Sequence, residues 1–198
     1  MLPGMAGPKE VEIKFALEDP GAVGRKLRAL GFRCETPRTH EMNTLYDLPG
    51  EVLRQRGELL RLRKYGDKWR LTHKGPGSPG RHKTRVENET AVEQGERMEA
   101  ILSALGLAPS FRYEKFRSEW SDGTGHVVVD ETPIGNYGEI EGPPPWIDTT
   151  AHALGIVPEE YITESYAQLF FDWKKRTGSP AEEMTFAAVN RTPDSAAR

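Results

Sequence analysis

The alternation of apolar and polar residues along the chain predicts a fold built mainly from β-strands. Residues two apart lie on the same face of a strand, so alternation marks a strand with one apolar and one polar face. Strands are predicted at residues 11–17, 39–46, 59–65, 68–74, 82–90, 112–120, 126–132 and 136–142. Short turns between most of them favour antiparallel pairing. Eight antiparallel strands can close into a barrel wide enough to hold a ligand.

Two segments, residues 22–30 and 94–105, instead repeat their apolar residues every three or four positions, which is typical of amphipathic helices. Each is followed by a glycine, Gly31 or Gly106, and glycine commonly ends helices. Two more short helices are expected near residues 148–154 and 164–175. Many strands with few helices between them indicate an α+β protein whose helices flank an antiparallel barrel.

The chain is expected to form one domain over residues 9–177, because it contains no internal repeat and no linker-like boundary. Residues 1–8 are rich in glycine and proline, and we expect a flexible N-terminus. Residues 178–198 are polar and poor in apolar side chains, so disorder is expected there. The Gly/Pro-rich segment 75–80 is expected to be a mobile loop.

Composition narrows the range of partners. The chain has 27 basic and 30 acidic residues and a net charge of −3, which argues against a nucleic-acid binder. Its one cysteine, Cys34, cannot form an internal disulfide, as suits a reducing compartment. No stretch approaches the roughly 20 apolar residues of a membrane span, and residues 1–9 contain no signal-peptide core. We therefore expect a cytoplasmic protein without a membrane partner.

The polar faces of the predicted strands carry charges that are sorted by sign. For any single strand, exposure of the charged face to solvent is the simpler interpretation. The complete set is harder to explain in this way, because a solvated face usually mixes its signs. Acidic residues are concentrated on the first, seventh and eighth strands: Glu10, Glu12, Asp130, Glu139 and Glu141. Basic residues are concentrated on the third, fourth and sixth strands: Arg61, Arg63, Arg70, Lys74, Lys115 and Arg117.

A barrel with these faces turned inward would bury many charges, which is unfavourable unless each charge is paired. A polyanionic ligand bridged to the acidic residues by divalent cations would satisfy both sets. Motifs for other chemistries are absent from the sequence. There is no Gly-x-x-x-x-Gly-Lys-Ser/Thr loop, no Cys/His cluster with zinc-ligand spacing and no Gly-x-Ser-x-Gly nucleophile motif.

The charged strands, taken in order, resemble those of the CYTH domain family of triphosphate tunnel metalloenzymes. Residues 10–14 resemble its opening Glu-x-Glu-x-Lys signature. The resemblance continues through a paired-arginine strand at 59–64, a Lys-Gly-Pro strand end at 71–76, basic strands at 85–87 and 114–117, and acidic strands at 129–130 and 138–142. Ser165 and Tyr166 resemble the start of the family's final helix. The match spans about residues 10–175.

This resemblance implies an eight-stranded tunnel that holds a triphosphate along its axis, with Mg²⁺ or Mn²⁺ at one end. The implied metal ligands are Glu10, Glu12, Asp130, Glu139 and Glu141. The implied catalytic and phosphate-binding residues are Lys14, Arg61, Arg63, Lys74 and Arg117, with Arg85 and Lys115 as further substrate-binding residues. The residue types suit these roles, since hard cations prefer carboxylate oxygens and arginine pairs with two phosphate oxygens at once. Glu87 and Glu89 are expected to form salt bridges to the basic strands.

Three functions are compatible with these residues. The first is hydrolysis of the terminal phosphate of inorganic triphosphate or of a nucleoside or thiamine triphosphate. The second is cyclisation of ATP to cyclic AMP and pyrophosphate, and the third is non-catalytic binding of polyphosphate or nucleotide. A simple binder has little use for five carboxylates, and no adenine-binding constellation is recognisable, with Trp146 as the one aromatic near the expected tunnel mouth. Hydrolysis is therefore favoured. The sequence does not distinguish a monomer from a homodimer.

Overall fold

The protein, described by a computed structural model over residues 9–78 and 80–189, contains the eight expected strands. They are β1 (Lys9–Leu17), β2 (Arg33–Asp47), β3 (Leu59–Tyr65), β4 (Lys68–Lys74), β5 (Lys83–Val92), β6 (Ala108–Ser121), β7 (His126–Thr132) and β8 (Gly135–Glu141). The helices are α1 (Pro20–Ala29), α2 (Val52–Gln55), α3 (Gly95–Ala104), α4 (Pro144–Leu154), α5 (Tyr166–Thr177) and α6 (Phe186–Val189), with a 3₁₀ turn at Pro158–Glu160.

The strands form a closed barrel in the order β1-β5-β4-β3-β2-β6-β7-β8, with β8 pairing back to β1. All neighbouring strands are antiparallel. The expected α+β class and eight-stranded antiparallel barrel are therefore confirmed. Closure removes the exposed strand edges of an open sheet. It also brings the first and last strands together, so that Glu12 lies opposite Glu141 on one side and opposite Lys83 on the other.

Several element boundaries differ from the sequence prediction, and two of the differences have a clear local reason. β2 begins at Arg33, six residues earlier than expected, and its pairing with β6 shifts register between Cys34 and Thr39. Pro37 lies within this irregular stretch, where a residue without an N–H donor is tolerated. α4 begins at Pro144 because proline, which cannot continue a strand ladder, is accommodated in the first turn of a helix.

The main apolar core lies outside the barrel, between the strands and the helices α1 and α4. Its fully buried members include Ile13 and Phe15 of β1, Ile140 of β8 and Ile147 of α4. Gly138 is required for this packing, because a Cβ atom at that position would lie 2.2 Å from Cζ of Phe15. The apolar faces of the strands therefore face the helices, and the charged faces are left for the barrel interior.

A second apolar cluster joins β6, α5 and the segment that follows α5. Residues 108–115 of β6 extend beyond the end of β7, which leaves one edge of β6 without a strand partner. Met184 occupies this edge: its N–H donates to the carbonyl of Arg112 at 3.0 Å, and its carbonyl accepts from the N–H of Glu114 at 3.0 Å. The side chains of Ala181 and Met184 are buried in the cluster.

The expected disorder after Gly178 therefore does not hold for residues 178–189. Disorder was expected because this segment is mostly polar. In the structure, the buried side chains of Ala181 and Met184 and the two backbone hydrogen bonds of Met184 are enough to dock the segment on β6. The expectations for residues 1–8 and 190–198 lie outside the described residues. Within the part of the chain that the structure describes, no helix has the length and apolar character needed to cross a membrane.

A charged tunnel as the candidate active site

The charged faces of the strands line a cavity of about 390 Å³ inside the barrel. All of the site residues predicted from the sequence line it except Asp130. These are Glu10, Glu12, Lys14, Arg61, Arg63, Lys74, Arg85, Lys115, Arg117, Glu139 and Glu141. The alternation of the strands explains this outcome, because every second side chain of a barrel strand must point inward. Lys83 and Glu119 also line the cavity, although neither was among the predicted site residues.

Four carboxylates of the cavity belong to the paired strands β1 and β8: Glu10, Glu12, Glu139 and Glu141. Glu10, Glu12 and Glu141 form one group, since the charges of Glu10 and Glu12 act on Glu141. Glu10 and Glu12 each have a cationic partner, with Lys74 Nζ 2.6 Å from Glu10 Oε2 and Lys83 Nζ 3.0 Å from Glu12 Oε1. Glu141 forms no ion pair with any described residue. Burial, together with the neighbouring charges of Glu10 and Glu12, raises the pKa of Glu141 to about 7. In this group of three carboxylates, the β1–β8 carboxylate group, the charges of Glu10 and Glu12 therefore oppose ionisation of Glu141.

The raised pKa of Glu141 leads to a prediction for stability. Between pH 4.5, the ordinary pKa of the group, and about pH 7, the folded protein holds a proton that the unfolded chain has released. The metal-free wild-type protein should therefore lose stability as pH rises through this window, by up to about 3 kcal/mol. Glu141→Gln, which keeps the shape of the neutral acid, should lack this loss. The measurement is urea unfolding of both proteins in EDTA at pH 5 and pH 8. Parallel pH dependences for the two proteins would contradict the prediction.

Asp130 lies apart from the β1–β8 carboxylate group. On β7, it is opposite Tyr137, whereas Glu141 is opposite His126, four residues away along the strand. At about 3.3 Å per residue this separation is roughly 13 Å. Asp130 is fully buried and accepts hydrogen bonds from Lys115 Nζ at 2.8 Å, Arg117 Nε at 2.7 Å and Tyr166 Oη at 2.6 Å.

Glu139 is also paired with cations, since its carboxylate lies 2.9 Å from Lys14 Nζ and 2.5 Å from Arg117 Nη2. The structure thus separates the five carboxylates that were expected at one end into two groups. Asp130 and Glu139 neutralise lysine and arginine side chains, while Glu141 of the β1–β8 carboxylate group has no cationic partner among the described residues. Sequence could not distinguish them, because their partners come from strands that are distant in the chain.

Three arginines present buried donors to the cavity. The Nε atoms of Arg61, Arg63 and Arg85 are shielded from solvent and form no hydrogen bond with any described group. The carboxylates near Arg61 and Arg63 are not within hydrogen-bonding distance, with Glu89 3.7 Å from Arg61 and Glu41 3.7 Å from Arg63. A buried donor without an acceptor is energetically unfavourable. An anion in the cavity would supply the missing acceptors, and guanidinium groups suit phosphate oxygens in particular.

The salt bridges expected for Glu87 and Glu89 are confirmed. Lys74 Nζ lies 2.8 Å from Glu87 Oε2, and Arg70 Nε lies 3.4 Å from Glu89 Oε1. Both carboxylates also line the cavity. Lys74 is consequently held between Glu87 and Glu10.

Sequence reasoning missed Glu41, a fully buried carboxylate of β2. Burial alone would raise its pKa, but the charges of Arg63, Lys115 and Arg117 hold that pKa well below its usual range. One oxygen accepts from Asn43 Nδ2 at 2.8 Å, and the other forms no hydrogen bond within the described residues. The sequence did contain a sign of this role. Glu41 and Asn43 are two residues apart on β2, so they share the strand face that turns inward.

Tyr166 is a second residue whose role could not be predicted from the sequence, although the dipeptide Ser165-Tyr166 was recognised. It lines the cavity from the first turn of α5 and is 7% exposed. Trp146, in contrast, does not line the cavity. Its Nε1 donates to Asp122 Oδ2 at 2.8 Å, and its ring packs against Gly125 and Gly142 outside the barrel.

Among residues 9–78 and 80–189, no group of three or more His, Cys, Asp or Glu side chains is arranged so that it could hold a metal ion. The donor chemistry of Glu10, Glu12 and Glu141 nevertheless fits a hard divalent cation, because these are carboxylate oxygens close enough for the charges of Glu10 and Glu12 to raise the pKa of Glu141. Glu10 and Glu12 are occupied by Lys74 and Lys83 in this structure. Metal binding would therefore require these two lysines to release the carboxylates.

Comparison with known proteins identifies the family. The model of the CYTH domain matches residues 8–149, and the chain belongs to the CYTH domain family. It is 29% identical over 171 residues to a Methanocaldococcus jannaschii protein named "Putative adenylate cyclase", an alignment that covers 81% of this chain and 97% of that protein. The resemblance to the CYTH family proposed from the sequence is thus confirmed.

Solved structures agree on the fold. A Vibrio parahaemolyticus protein, described as a "putative adenylate cyclase", superposes with a TM-score of 0.76 at 18% identity and covers 83% of this chain and 99% of its own. A Hippeastrum protein, described as a "putative adenylyl cyclase" that reveals a dominant triphosphatase activity, has a TM-score of 0.62 at 17% identity and covers 82% of this chain and 95% of its own. At such low identity these likenesses establish the fold alone. Proteins of this fold are thus named for adenylate cyclase and for triphosphatase activity.

Proposed function

We propose that this protein is a metal-dependent triphosphatase that hydrolyses the terminal phosphate of inorganic triphosphate or of an organic or nucleoside triphosphate. The observation that carries this proposal is the convergence of eight cationic side chains on one cavity: Lys14, Arg61, Arg63, Lys74, Lys83, Arg85, Lys115 and Arg117. Three of them, Arg61, Arg63 and Arg85, have buried donors without an acceptor among the described groups. A linear polyanion with many oxygens is the ligand class that such a wall suits best.

The basic side chains would bind and orient the triphosphate and stabilise the charge that develops on it during phosphoryl transfer. Lys14 suits binding better than proton abstraction. Burial alone would lower its pKa, but the charges of Glu139 and Glu12 raise that pKa well above the usual range. Lys14 is therefore protonated at neutral pH and acts as a cation toward phosphate oxygens.

Mg²⁺ or Mn²⁺, held by Glu10, Glu12 and Glu141, would supply charge neutralisation and Lewis acidity at the phosphate oxygens. We assign the metal to these three carboxylates rather than to all five predicted ones. Asp130 and Glu139 already accept hydrogen bonds or ion pairs from Lys14, Lys115 and Arg117. Their role in the proposal is to keep these cations charged and oriented.

Cyclisation of ATP is the second candidate. The name of the Methanocaldococcus jannaschii relative favours it, and so does a second cavity of about 240 Å³ that adjoins the tunnel. The two cavities share Leu59, Arg85 and Ser165, and Phe111 and Phe171 also line the second. An organic group attached to the triphosphate could lie there. A cyclase must in addition hold the ribose so that its 3′-hydroxyl is in line with the α-phosphorus.

Product analysis separates these functions. The purified protein is incubated with inorganic triphosphate, ATP or thiamine triphosphate, each with Mg²⁺ or Mn²⁺, and the products are resolved by chromatography. We expect orthophosphate as the main product, with inorganic triphosphate hydrolysed at least as efficiently as ATP. Cyclic AMP and pyrophosphate as the dominant products from ATP would establish the cyclase instead. Tight triphosphate binding with neither reaction would identify a non-catalytic binding protein.

A further inference from the structure

Tyr166 contacts the tunnel from outside the part of the chain that matches the CYTH domain model, which ends at residue 149. It is the first residue of α5, and the preceding Ser165 caps this helix by accepting from the N–H of Gln168 at 3.3 Å. The ring of Tyr166 stacks on Tyr113 at a centroid distance of 5.9 Å and meets Tyr137 edge-on at 5.8 Å. The helix cap and the two rings together define the position of the side chain.

Two phosphate-facing lysines lie against the ring of Tyr166. Lys14 Nζ is 4.7 Å from the ring centroid, and Lys115 Nζ is 4.5 Å from it. Both distances are within the range of cation–π attraction, which is stronger at sites shielded from water. Both lysines are almost completely buried, with residue exposures of 3% and 1%. The ring thus stabilises two like charges close to one another.

The hydroxyl group of Tyr166 is linked to a third cation, Arg117, through the carboxylate of Asp130. It donates to Asp130 Oδ2 at 2.6 Å, and the same carboxylate accepts from Lys115 Nζ and from both Nε and Nη2 of Arg117. Burial and the charge of Asp130 raise the pKa of Tyr166 well above its usual range, so the hydroxyl remains a donor. Lys14, Lys115 and Arg117 are therefore all held by Tyr166, either directly or through Asp130.

We propose that Tyr166 is a positioning residue that sets the spacing of Lys14, Lys115 and Arg117 for a bound polyphosphate. This inference rests on the proposed triphosphatase function, and it adds that the first turn of α5 belongs to the substrate-binding machinery. If Tyr166 served only to fill the end of the barrel, any apolar side chain of similar size would replace it. If it positions cations, the ring and the hydroxyl make separable contributions to triphosphate affinity.

The test compares Tyr166→Phe and Tyr166→Leu with the control Tyr137→Phe. Tyr137 belongs to the same aromatic cluster, but its hydroxyl forms no hydrogen bond with a described residue. The dissociation constant of inorganic triphosphate is measured by calorimetry, KM and kcat by phosphate release, and stability by urea unfolding. We expect the KM and the dissociation constant to rise about fivefold for Tyr166→Phe, which loses one hydrogen bond, and about a hundredfold for Tyr166→Leu, which also loses both cation–π contacts.

The outcomes distinguish this inference from the proposed function. Wild-type affinity in both Tyr166 variants, with the wild-type protein active, would overturn the inference and leave the triphosphatase proposal intact. A wild-type protein that neither binds nor hydrolyses triphosphate would overturn both. If Tyr166→Leu fails to fold, Tyr166→Phe decides: affinity equal to that of Tyr137→Phe would overturn the positioning role, and a selective loss would support it.

Discussion

Arg117→Met should lower the free energy of unfolding by about 3–5 kcal/mol, the range observed when one partner of a buried ion pair is removed. Arg117 binds Asp130 through Nε at 2.7 Å and through Nη2 at 2.6 Å, and Nη2 also contacts Glu139 at 2.5 Å. Its guanidinium is also 3.8 Å from Glu41. Methionine fills a similar volume but has no charge. The loss of stability would therefore measure the cost of leaving Asp130 and Glu139 buried without Arg117. Urea unfolding without metal or phosphate measures the effect.

Arg63→Met is the matched control for this experiment. Arg63 also faces the cavity, but its one ion pair among the described residues is with Glu41 at 3.7 Å, and its Nε has no hydrogen-bond acceptor there. We expect it to lose less stability than Arg117→Met, because no well-formed hydrogen bond is broken and Lys115 and Arg117 still oppose the charge of Glu41. Both variants should bind triphosphate more weakly. Equal stability losses in the two variants would contradict the larger role assigned to the contacts of Arg117 with Asp130 and Glu139.

Glu12→Gln should reduce metal-dependent turnover by more than about a hundredfold, since a catalytic cation contributes several kcal/mol to transition-state stabilisation. Glutamine keeps the size of the side chain but removes a negative charge from the β1–β8 carboxylate group. Stability without metal should change little, because the lost ion pair with Lys83 is offset by weaker repulsion of Glu10 and Glu141. The measurements are phosphate release across a Mg²⁺ or Mn²⁺ titration and thermal unfolding with and without metal.

Glu119→Gln provides the control, since Glu119 is a cavity carboxylate on β6, two strands away from β8. It accepts a hydrogen bond from Thr36 Oγ1 at 3.0 Å and is not part of the β1–β8 carboxylate group. Its substitution should leave the metal requirement unchanged. Metal should also raise the melting temperature of the wild-type protein and of Glu119→Gln more than that of Glu12→Gln. A similar response to metal in all three proteins would exclude Glu12 as a ligand.

The sequence by itself determined which side chains of a strand share a face. The two-residue period of a strand assigns Glu10, Glu12 and Lys14 to one face whatever the strand packs against, and the same holds for Arg61 and Arg63. The apolar residues between them must then face the helices, which places the charged faces inside a closed barrel. The family resemblance could be stated for the same reason, because it consists of these alternating positions in order along the chain.

Only the tertiary structure decided which cation each carboxylate of the tunnel pairs with. Which carboxylate meets which cation depends on register between strands far apart in sequence, so Asp130 joins Lys115 and Arg117 while Glu141 remains without a cationic partner among the described residues. Tyr166 enters the site for the same reason. The docking of Met184 depends on β6 being longer than β7, which leaves an open edge. These features arise from contacts between elements that are distant in the sequence. Local periodicity and composition cannot predict such contacts.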